Sequence, residues 1–479
     1  MKLTELTLSA LSRMLTAREI SAVELTQAYL SEIKALDASV GAYLTVTAEE
    51  ALAQSRAIDA SRACGGTLGA LAGIPIAFKD NICTRGVRTT CASRMLENFI
   101  PPYDATVVKR LRDEGMVLLG KLNMDEFAMG STTEHSAFQI TRNPLAPDRV
   151  PGGSSGGCAA AVAAGLAPAA LGSDTGGSIR QPAAFCGVVG MKPTYGTVSR
   201  YGLIAFASSL DQIGPIGRSV EDVSLLLPAI MGHDPLDSTS VADGYVGPPT
   251  RYAAGLRGMR IGLPVEYFTD GLQPAIRDAV LQAAKTCESM GAELVELSLP
   301  SLRHALSAYY VISSAEASSN LSRFDGVKYG YRAADAADPE GLMINSRSEG
   351  FGPEVQRRIL LGTFALSAGY RDAYYKKAQQ VRTLVRQEFD RAFETCDLIL
   401  SPVTPATAYR LGEKRTLEMY MGDIYTVPAS IAGLPALSLP VGTDGDGLPI
   451  GAQLVGPAFS EGVILQAAAH LERILKGAM

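Results

Sequence analysis

The first 65 residues place apolar side chains at helical spacing. In SAVELTQAYLSEIKAL the apolar positions from Val23 to Leu36 fall on one face, which predicts an amphipathic helix. Ser21 and Glu24 have the spacing of a capping box at the start of this helix. A second helix is predicted over residues 48–64, because two glycines follow it directly. We therefore expect a mainly helical N-terminal segment.

Beyond this segment, short apolar strands alternate with helices. Strands are predicted at GIPIAFK and at MVLLGKLN, and Lys79 ends the first of them. An alanine-rich helix within CAAAVAAGLA then precedes a strand at PAALGSD. The alternation of strand and helix is typical of a layered α/β protein.

The second half of the chain continues this alternation. A helix capped by Ser219, a strand at MRIGLPV, a helix over 274–290 and a strand at AELVELSL are predicted in turn. Residues 302–395 have mainly helical periodicity. Short strands follow near LILSP and IGAQLVG, and a last helix begins near Ser460. No linker rich in proline, glycine and serine divides the chain, so we expect one domain over residues 1–479.

Charge and composition argue against several classes of protein. The net charge is −6 and the pI is about 5.5, whereas a nucleic-acid surface needs clustered lysines and arginines. The N-terminal sequence lacks the unbroken apolar core of a signal peptide. The sequence also has no run of about 18 apolar residues, the length needed to span a membrane. The seven cysteines form no CxxC pair, which is typical of reduced, buried thiols. We expect a cytoplasmic protein with no metal site.

Candidate chemistry is concentrated in two glycine-rich stretches, PGGSSGG and DTGGSIR, which contain Ser154 and Ser178. The predicted helix between these serines advances about 15 Å, and the strand after it returns about the same distance. Both serines are therefore expected at one edge of the sheet. Lys79 ends a different strand and could arrive at the same edge.

A serine hydroxyl needs a base before it becomes a nucleophile. Of the four histidines, only His135 is close enough in sequence to be an alternative base. The other three are expected on the surface or in packing roles: His233, His304 and His470. Lys79 is the other candidate base, because burial would lower the pKa of its ammonium group.

The glycines before Ser178 allow more than one interpretation. Gly176 and Gly177 would let backbone N–H groups converge, as an oxyanion hole requires. The same residues suit a flexible loop or a loop that binds a phosphate without catalysis. No GK[ST] follows, so a P-loop is disfavoured.

Lys79 in FKDN, the stretch PGGSSGG and the long motif GSDTGGSIRQPAAFCGVVGMKPTYGTVS together resemble the amidase signature family over residues 70–230. The resemblance implies that Ser178 is the nucleophile, Ser154 the bridging serine and Lys79 the base. It also implies a cis peptide between Gly153 and Ser154. The implied fold is a mixed central β-sheet flanked by layers of α-helices. The implied oxyanion hole consists of Thr175, Gly176 and Gly177.

Further stretches, including NMDEFAMGSTTEHSAF and GDIYTVPASIAGLPALSLP, are similar to the glutamine-hydrolysing subunits of tRNA-dependent amidotransferases. This similarity implies a substrate site formed by Gly130, Tyr309, Arg358 and Asp423. Arg357 and Arg358 lie about 100° apart on a helix, so only one should face that site.

The same similarity implies partners. Glutamine would be the substrate, and two further subunits, called B and C, would complete a heterotrimer. The B subunit would hold the misacylated tRNA and would use ATP and magnesium, so no cofactor is expected on this chain. The ammonia would amidate Glu-tRNA(Gln), Asp-tRNA(Asn) or both. Two alternatives remain: a free-standing amidase of small amides and a non-catalytic ligand-binding protein.

Overall fold

The computed structural model describes residues 2–242, 247, 255–413 and 416–478. These residues form an 11-stranded sheet and the helices that cover it. The strands are β1 (Tyr43–Val46), β2 (Pro75–Lys79), β3 (Val117–Leu122), β4 (Ala169–Asp174), β5 (Val189–Lys192), β6 (Gln212–Gly217), β7 (Arg260–Pro264), β8 (Glu293–Leu297), β9 (Leu398–Pro402), β10 (Ala436–Thr443) and β11 (Pro449–Val455).

The α-helices account for most of the remaining regular structure. They are α1 (Leu8–Thr16), α2 (Ala22–Val40), α3 (Ala48–Ala63), α4 (Thr106–Asp113), α5 (Gly156–Ala163), α6 (Arg180–Phe185), α7 (Val220–Ile230), α8 (Pro274–Ser289), α9 (Ala305–Asn320), α10 (Pro339–Gly350), α11 (Pro353–Leu366), α12 (Lys377–Thr395), α13 (Thr416–Met421), α14 (Val427–Ile431) and α15 (Glu461–Ala478). The Ser21–Glu24 capping box is present at the start of α2.

The sheet is mixed, with the order β1-β3-β2-β4-β6-β5-β10-β11-β9-β7-β8. Strand β2 pairs in parallel with β3 and β4, and β7 pairs in parallel with β8 and β9. The other pairings are antiparallel. The predicted α/β class and the mixed sheet flanked by helices are therefore confirmed, whereas the single domain stays a prediction.

The predicted elements match the structure closely, with four strands missed. Strand β1 interrupts the N-terminal segment that the sequence predicts as mainly helical, and β5, β6 and β10 were not predicted. The four residues of β1 are too few to establish a period against the long helices on either side. Strand β10 contains Pro440 and an irregular register between Pro440 and Gly442, which obscures the strand pattern.

The central strands position the chemistry. Every residue of β2, β3 and β4 is buried, as expected for parallel strands that are covered on both faces. Because these three strands run in the same direction, their carboxyl ends meet at one edge of the sheet. Lys79 ends β2 and Asp174 ends β4, so the loops that follow them share this edge.

The cysteines and the helices test two further expectations. Six cysteines are buried, but Cys64 is exposed because it lies at the end of α3. The prediction of buried thiols is thus wrong for Cys64. Among the described residues, no helix is both long and apolar enough to cross a membrane.

Candidate active site

Lys79 and Ser154 are in direct contact at the carboxyl edge of β2. Lys79 Nζ donates to Ser154 Oγ at 2.7 Å and to the Ser173 carbonyl at 3.2 Å. Both side chains are fully buried. The Gly153–Ser154 peptide is cis, as the family resemblance implies. The structure therefore brings together two of the three residues of the predicted proton relay.

The environment of Lys79 changes its protonation. Burial lowers the pKa of Lys79 from 10.5 to about 8, although the carboxylates of Asp125, Asp174 and Asp211 oppose this shift. A lysine with such a pKa is partly neutral near neutral pH, and only the neutral amine can accept a proton. Lys79 thus has the protonation behaviour of a general base.

Ser178 lies beside this pair, with its hydroxyl free. Its backbone carbonyl accepts a hydrogen bond of 3.1 Å from the Ser155 N–H, which ties the two serine loops together. Within the part of the chain that the structure describes, Ser178 Oγ has no hydrogen-bond partner, and the side chain is 8% exposed. The step from Ser178 to Ser154 therefore stays a prediction.

The loop before Ser178 is held from two sides. The Thr175 hydroxyl donates to Asp211 Oδ1 at 2.7 Å. The Thr426 hydroxyl donates to the Gly176 carbonyl at 2.6 Å. The backbone N–H groups of Thr175, Gly176 and Gly177 donate to no acceptor among residues 2–242, 247, 255–413 and 416–478. Free, fixed N–H groups are what an oxyanion hole requires.

Ser178 lines a narrow cavity with a volume of about 10 Å³. All four residues predicted for substrate binding line this cavity, so the structure brings them together with Ser178. The lining residues are Ala128, Gly130, Ser131, Gly176, Ser178, Phe206, Tyr309, Tyr310, Arg358, Met419, Tyr420 and Asp423. Tyr309 packs so closely on Gly176 that a Cβ there would lie 2.6 Å from Tyr309 Cζ.

Arg358 faces the cavity, whereas its neighbour Arg357 faces outward. Arg358 is 3% exposed, whereas the Arg357 side chain is 45% exposed. Of these two adjacent arginines on α11, Arg358 alone lines the cavity. Glu354 precedes Arg358 by one helical turn, so it lies on the same face of α11.

Aromatic rings and a carboxylate hold the Arg358 guanidinium in place. Its Nε donates to Glu354 Oε1 at 2.7 Å, and its Cζ lies 4.6 Å from the ring centroids of both Tyr310 and Tyr420. Tyr420 also donates to Glu354 Oε1 at 2.5 Å. Arg358 Nη1 is buried and has no partner among the described residues. This nitrogen can therefore donate to an incoming anion.

Asp423 provides the opposite charge in the same cavity. The Tyr310 hydroxyl donates to Asp423 Oδ2 at 2.9 Å. Burial raises the pKa of Asp423 to about 7, although this hydrogen bond and the charge of Arg358 oppose the shift. A bound cation would favour the ionised carboxylate. The cavity thus has one group for an anion and one for a cation.

Asp125 organises the loop that contains Gly130. Its carboxylate accepts hydrogen bonds from the backbone N–H groups of Thr132, Thr133 and His135, at 3.2, 2.9 and 3.3 Å. Gly130 has a φ of +156° and lies against the Asp125 side chain, where a Cβ would not fit. Gly130 reaches the cavity because of this close approach.

His135, the alternative base, does not reach the serines. Its Nε2 is buried without a hydrogen-bond partner, and no hydrogen bond connects its ring to Ser154 or Ser178 within the described chain. The other three histidines contact residues outside the site: His233 contacts Ser240, His304 contacts Arg303, and His470 contacts Arg473.

Several residues of the site were not predicted from the sequence. They are Tyr310, Glu354, Tyr420 and Thr426, together with the buried ion pair of Asp174 and Arg180. The spacing of Glu354 and Arg358 by four residues was a usable signal for an ion pair on one helix face. The aromatic residues and Thr426 gave no such signal, because tertiary packing alone brings them to the cavity.

Comparisons with known proteins agree with this geometry. The family model described as Amidase matches residues 24–465. The chain is 60% identical over 477 residues to the A subunit of the Glutamyl-tRNA(Gln) amidotransferase from Moorella thermoacetica, covering 99% of this chain and 97% of that protein.

Two solved structures have the same fold. The crystal structure of the Glutamyl-tRNA(Gln) amidotransferase A subunit from Thermotoga maritima is 42% identical, with a TM-score of 0.81 over 98% of this chain and 95% of that one. The native peptide amidase from Stenotrophomonas maltophilia is 33% identical, with a TM-score of 0.82 over 98% and 97% of the two chains. The sheet, the serine loops and these matches together establish that the chain belongs to the amidase signature family.

Proposed function

We propose that the protein hydrolyses glutamine through an acyl-enzyme on Ser178 and supplies the ammonia to a tRNA-dependent amidotransferase. One observation carries this proposal: a single cavity contains the free Ser178 hydroxyl, Arg358 and Asp423. An amide substrate with an α-carboxylate and an α-ammonium group needs these three features at fixed separation. Glutamine is such a substrate.

The α-carboxylate and α-ammonium groups of glutamine, its head group, can be recognised by the charges of Arg358 and Asp423. The unpartnered Nη1 of Arg358 can donate to the α-carboxylate of glutamine, and the stacked rings of Tyr310 and Tyr420 both contact the guanidinium. Asp423 can accept from the α-ammonium group. Arg358 is buried and Asp423 is half-buried, so their interactions with a ligand are screened less by solvent than those of surface charges.

Acylation begins with proton transfer along the relay. Neutral Lys79 accepts a proton from Ser154, which accepts one from Ser178 as Ser178 Oγ attacks the side-chain carboxamide carbon. The N–H groups of Thr175, Gly176 and Gly177 donate to the oxyanion of the tetrahedral intermediate. The C–N bond then breaks, the proton returns through Ser154 to the leaving nitrogen, and ammonia departs.

Deacylation reverses the roles. A water molecule attacks the glutamyl ester and loses its proton to the relay, and the C–O bond to Ser178 breaks. The relay returns this proton to Ser178 Oγ, and glutamate leaves. Lys79 is therefore base and acid in turn, which its pKa of about 8 allows near neutral pH.

The partner assignment is supported by the relatives. Those from Moorella thermoacetica and Thermotoga maritima are each named as the A subunit of a Glutamyl-tRNA(Gln) amidotransferase. In our proposal, the B and C subunits complete a cytoplasmic heterotrimer. The B subunit holds the tRNA and uses ATP and magnesium to amidate Glu-tRNA(Gln), Asp-tRNA(Asn) or both. The pI of about 5.5 supports a division in which this chain does not hold the RNA itself.

A free-standing amidase is the second candidate, because the peptide amidase from Stenotrophomonas maltophilia has the same fold. Ammonia release from glutamine separates the two functions. We expect the rate to rise when the B and C subunits, ATP and misacylated tRNA are added, and to vanish in Ser178→Ala. A full rate on small amides with none on glutamine would favour the free-standing amidase.

A non-catalytic ligand-binding protein is the third candidate. A fluorophosphonate reacts with an activated serine by forming an oxygen–phosphorus bond and releasing fluoride. Labelling of Ser178, followed by loss of amide hydrolysis, would support the catalytic proposal. Absence of labelling in the folded protein would support simple binding.

A further inference from the structure

Thr426 connects the oxyanion loop (residues 175–177) to the head-group site (Arg358 and Asp423). The residue is fully buried at the start of α14, three positions after Asp423. Its N–H group donates to the Asp423 carbonyl at 3.2 Å. Its hydroxyl donates to the Gly176 carbonyl at 2.6 Å. The hydroxyl also lies 3.2 Å from the Asp423 carbonyl. Asp423 and Gly176 both line the cavity, so Thr426 joins the two halves of the site.

This hydrogen bond fixes one peptide plane. In a trans peptide, the C=O and N–H groups point in opposite directions. Because the Gly176 carbonyl points at the Thr426 hydroxyl, the Gly177 N–H must point away from Thr426. In the described part of the chain this N–H has no acceptor. The Thr426 hydroxyl therefore aims one of the three candidate oxyanion donors.

Thr426 is itself held by a hydrogen bond from a buried arginine. The Thr426 carbonyl accepts from Arg180 Nη1 at 2.9 Å. Arg180 also donates to both oxygens of Asp174, at 3.0 and 3.1 Å, and this ion pair is fully buried. Asp174 immediately precedes the oxyanion loop. Thr426 is thus anchored to the same strand end that carries the loop it holds.

Steric contact reinforces the arrangement. Gly177 has a φ of +144°, and a Cβ at this position would collide with the Thr426 hydroxyl. The loop therefore approaches Thr426 as closely as a glycine permits. Without the hydroxyl, the flexible Gly176–Gly177 peptide could rotate and turn its N–H away from the oxyanion.

We infer that Thr426 is a positioning residue that orients the Gly177 N–H for the oxyanion of amide hydrolysis. This inference rests on the proposed function, because it assigns a role within the same acyl transfer. Thr426 touches neither the substrate nor the reacting atoms. It acts through the Gly176–Gly177 peptide, so its loss should reduce turnover and leave glutamine binding nearly unchanged.

The test is Thr426→Val, which keeps the shape of the side chain but removes the donor. Loss of one oxyanion donor costs about 100-fold to 1,000-fold in kcat. A misdirected donor should cost about tenfold to 100-fold, with the glutamine KM changed less than about threefold. A small amide without α-groups should lose the same factor in kcat. Thr426→Ser, which restores the hydroxyl, should return kcat to near the wild-type value.

A matched control separates positioning from stability. Thr26 is also fully buried, and its hydroxyl is hydrogen-bonded to Ser55 Oγ at 2.7 Å, far from the site in α2. Thr26→Val removes a buried hydroxyl in the same way. It should lower the melting temperature while leaving kcat unchanged.

Three outcomes would overturn the inference. They are an unchanged kcat in Thr426→Val, a rise in KM alone, and a loss that Thr426→Ser does not repair. If Thr426→Val does not fold, the test rests on Thr426→Ser, which keeps the hydroxyl. A tenfold loss of kcat in this variant would contradict the inference. A wild-type enzyme that hydrolyses no glutamine would instead refute the proposed function.

Discussion

The pH dependence of hydrolysis follows from the buried position of Lys79. Burial lowers its pKa from 10.5 to about 8, and the amine is a base only when it is neutral. For a small amide without α-groups, kcat/KM should therefore rise about tenfold per pH unit below the pKa and level off above it. The activity is thus lost as the pH falls, because the lysine becomes protonated.

The size of the pKa shift determines how much of Lys79 is neutral at a given pH. At pH 7 a lysine with a pKa of about 8 is neutral in roughly one molecule in ten, against about three in ten thousand for the ordinary pKa. Burial of Lys79 thus raises the fraction of active base about 300-fold, equivalent to about 3 kcal/mol. Because Lys79 is fully buried, solvent screening does not reduce this value.

Glutamine should show a second titration, from Asp423. Burial raises the pKa of this carboxyl to about 7, and only its ionised form accepts from the α-ammonium group. Below about pH 7, kcat/KM for glutamine should therefore fall more steeply than for the small amide. The pH profile of kcat should show only the titration of Lys79, because bound glutamine keeps Asp423 ionised.

The assay measures initial rates of ammonia release from both substrates between about pH 6 and pH 10, with circular dichroism to verify folding. Lys192 provides the control, because burial also lowers its pKa, to about 7. Its Nζ donates to the Pro193 carbonyl at 3.0 Å, outside the cavity. Lys192→Met should leave both profiles unchanged. A flat profile for the small amide, or one that Lys192→Met abolishes, would refute the assignment of Lys79.

Three further results are expected. Lys79→Ala should lower turnover by several orders of magnitude, whereas His135→Ala should change it little; the opposite result would make the histidine the base. Rapid acid quenching with saturating glutamine should trap a glutamyl ester on the peptide that holds Ser178, detected by mass spectrometry, whereas an adduct on a cysteine would indicate thiol chemistry. Arg358→Ala should raise the glutamine KM about tenfold or more without affecting a small amide, and the exposed Arg357→Ala should affect neither. Equal losses on both substrates would give Arg358 a folding role.

The arrangement of Lys79, Ser154 and Ser178 could be predicted because it depends on local lengths. The helix α5 and the strand β4 are short and follow one another directly, so the two serine loops return to one edge. Lys79 ends β2, which is parallel to β4. Spacing therefore predicted the shared edge, and the family resemblance assigned the roles.

The head-group residues could not be predicted from spacing. Arg358 lies on α11 and Asp423 follows α13, and no local pattern indicates that these segments meet. The resemblance identified both residues, but it gave no account of Glu354, Tyr420 or Thr426. Their contacts depend on how the helices pack over the sheet, which a single sequence does not specify. The strand β1 was missed for a related reason, because its partner in the sheet is the distant β3.

The distribution of the site along the chain has a consequence for how new substrates arise. In the proposed mechanism, bond breaking depends on Lys79, Ser154 and Ser178 in the first part of the chain, whereas Arg358 and Asp423 come from the last third. Exchanging the later helices could therefore redirect the enzyme to another amide without rebuilding its catalytic machinery. Thr426 limits this freedom, because any exchanged segment must still present a hydroxyl to the Gly176 carbonyl. Designers who graft a new recognition layer should keep that single contact.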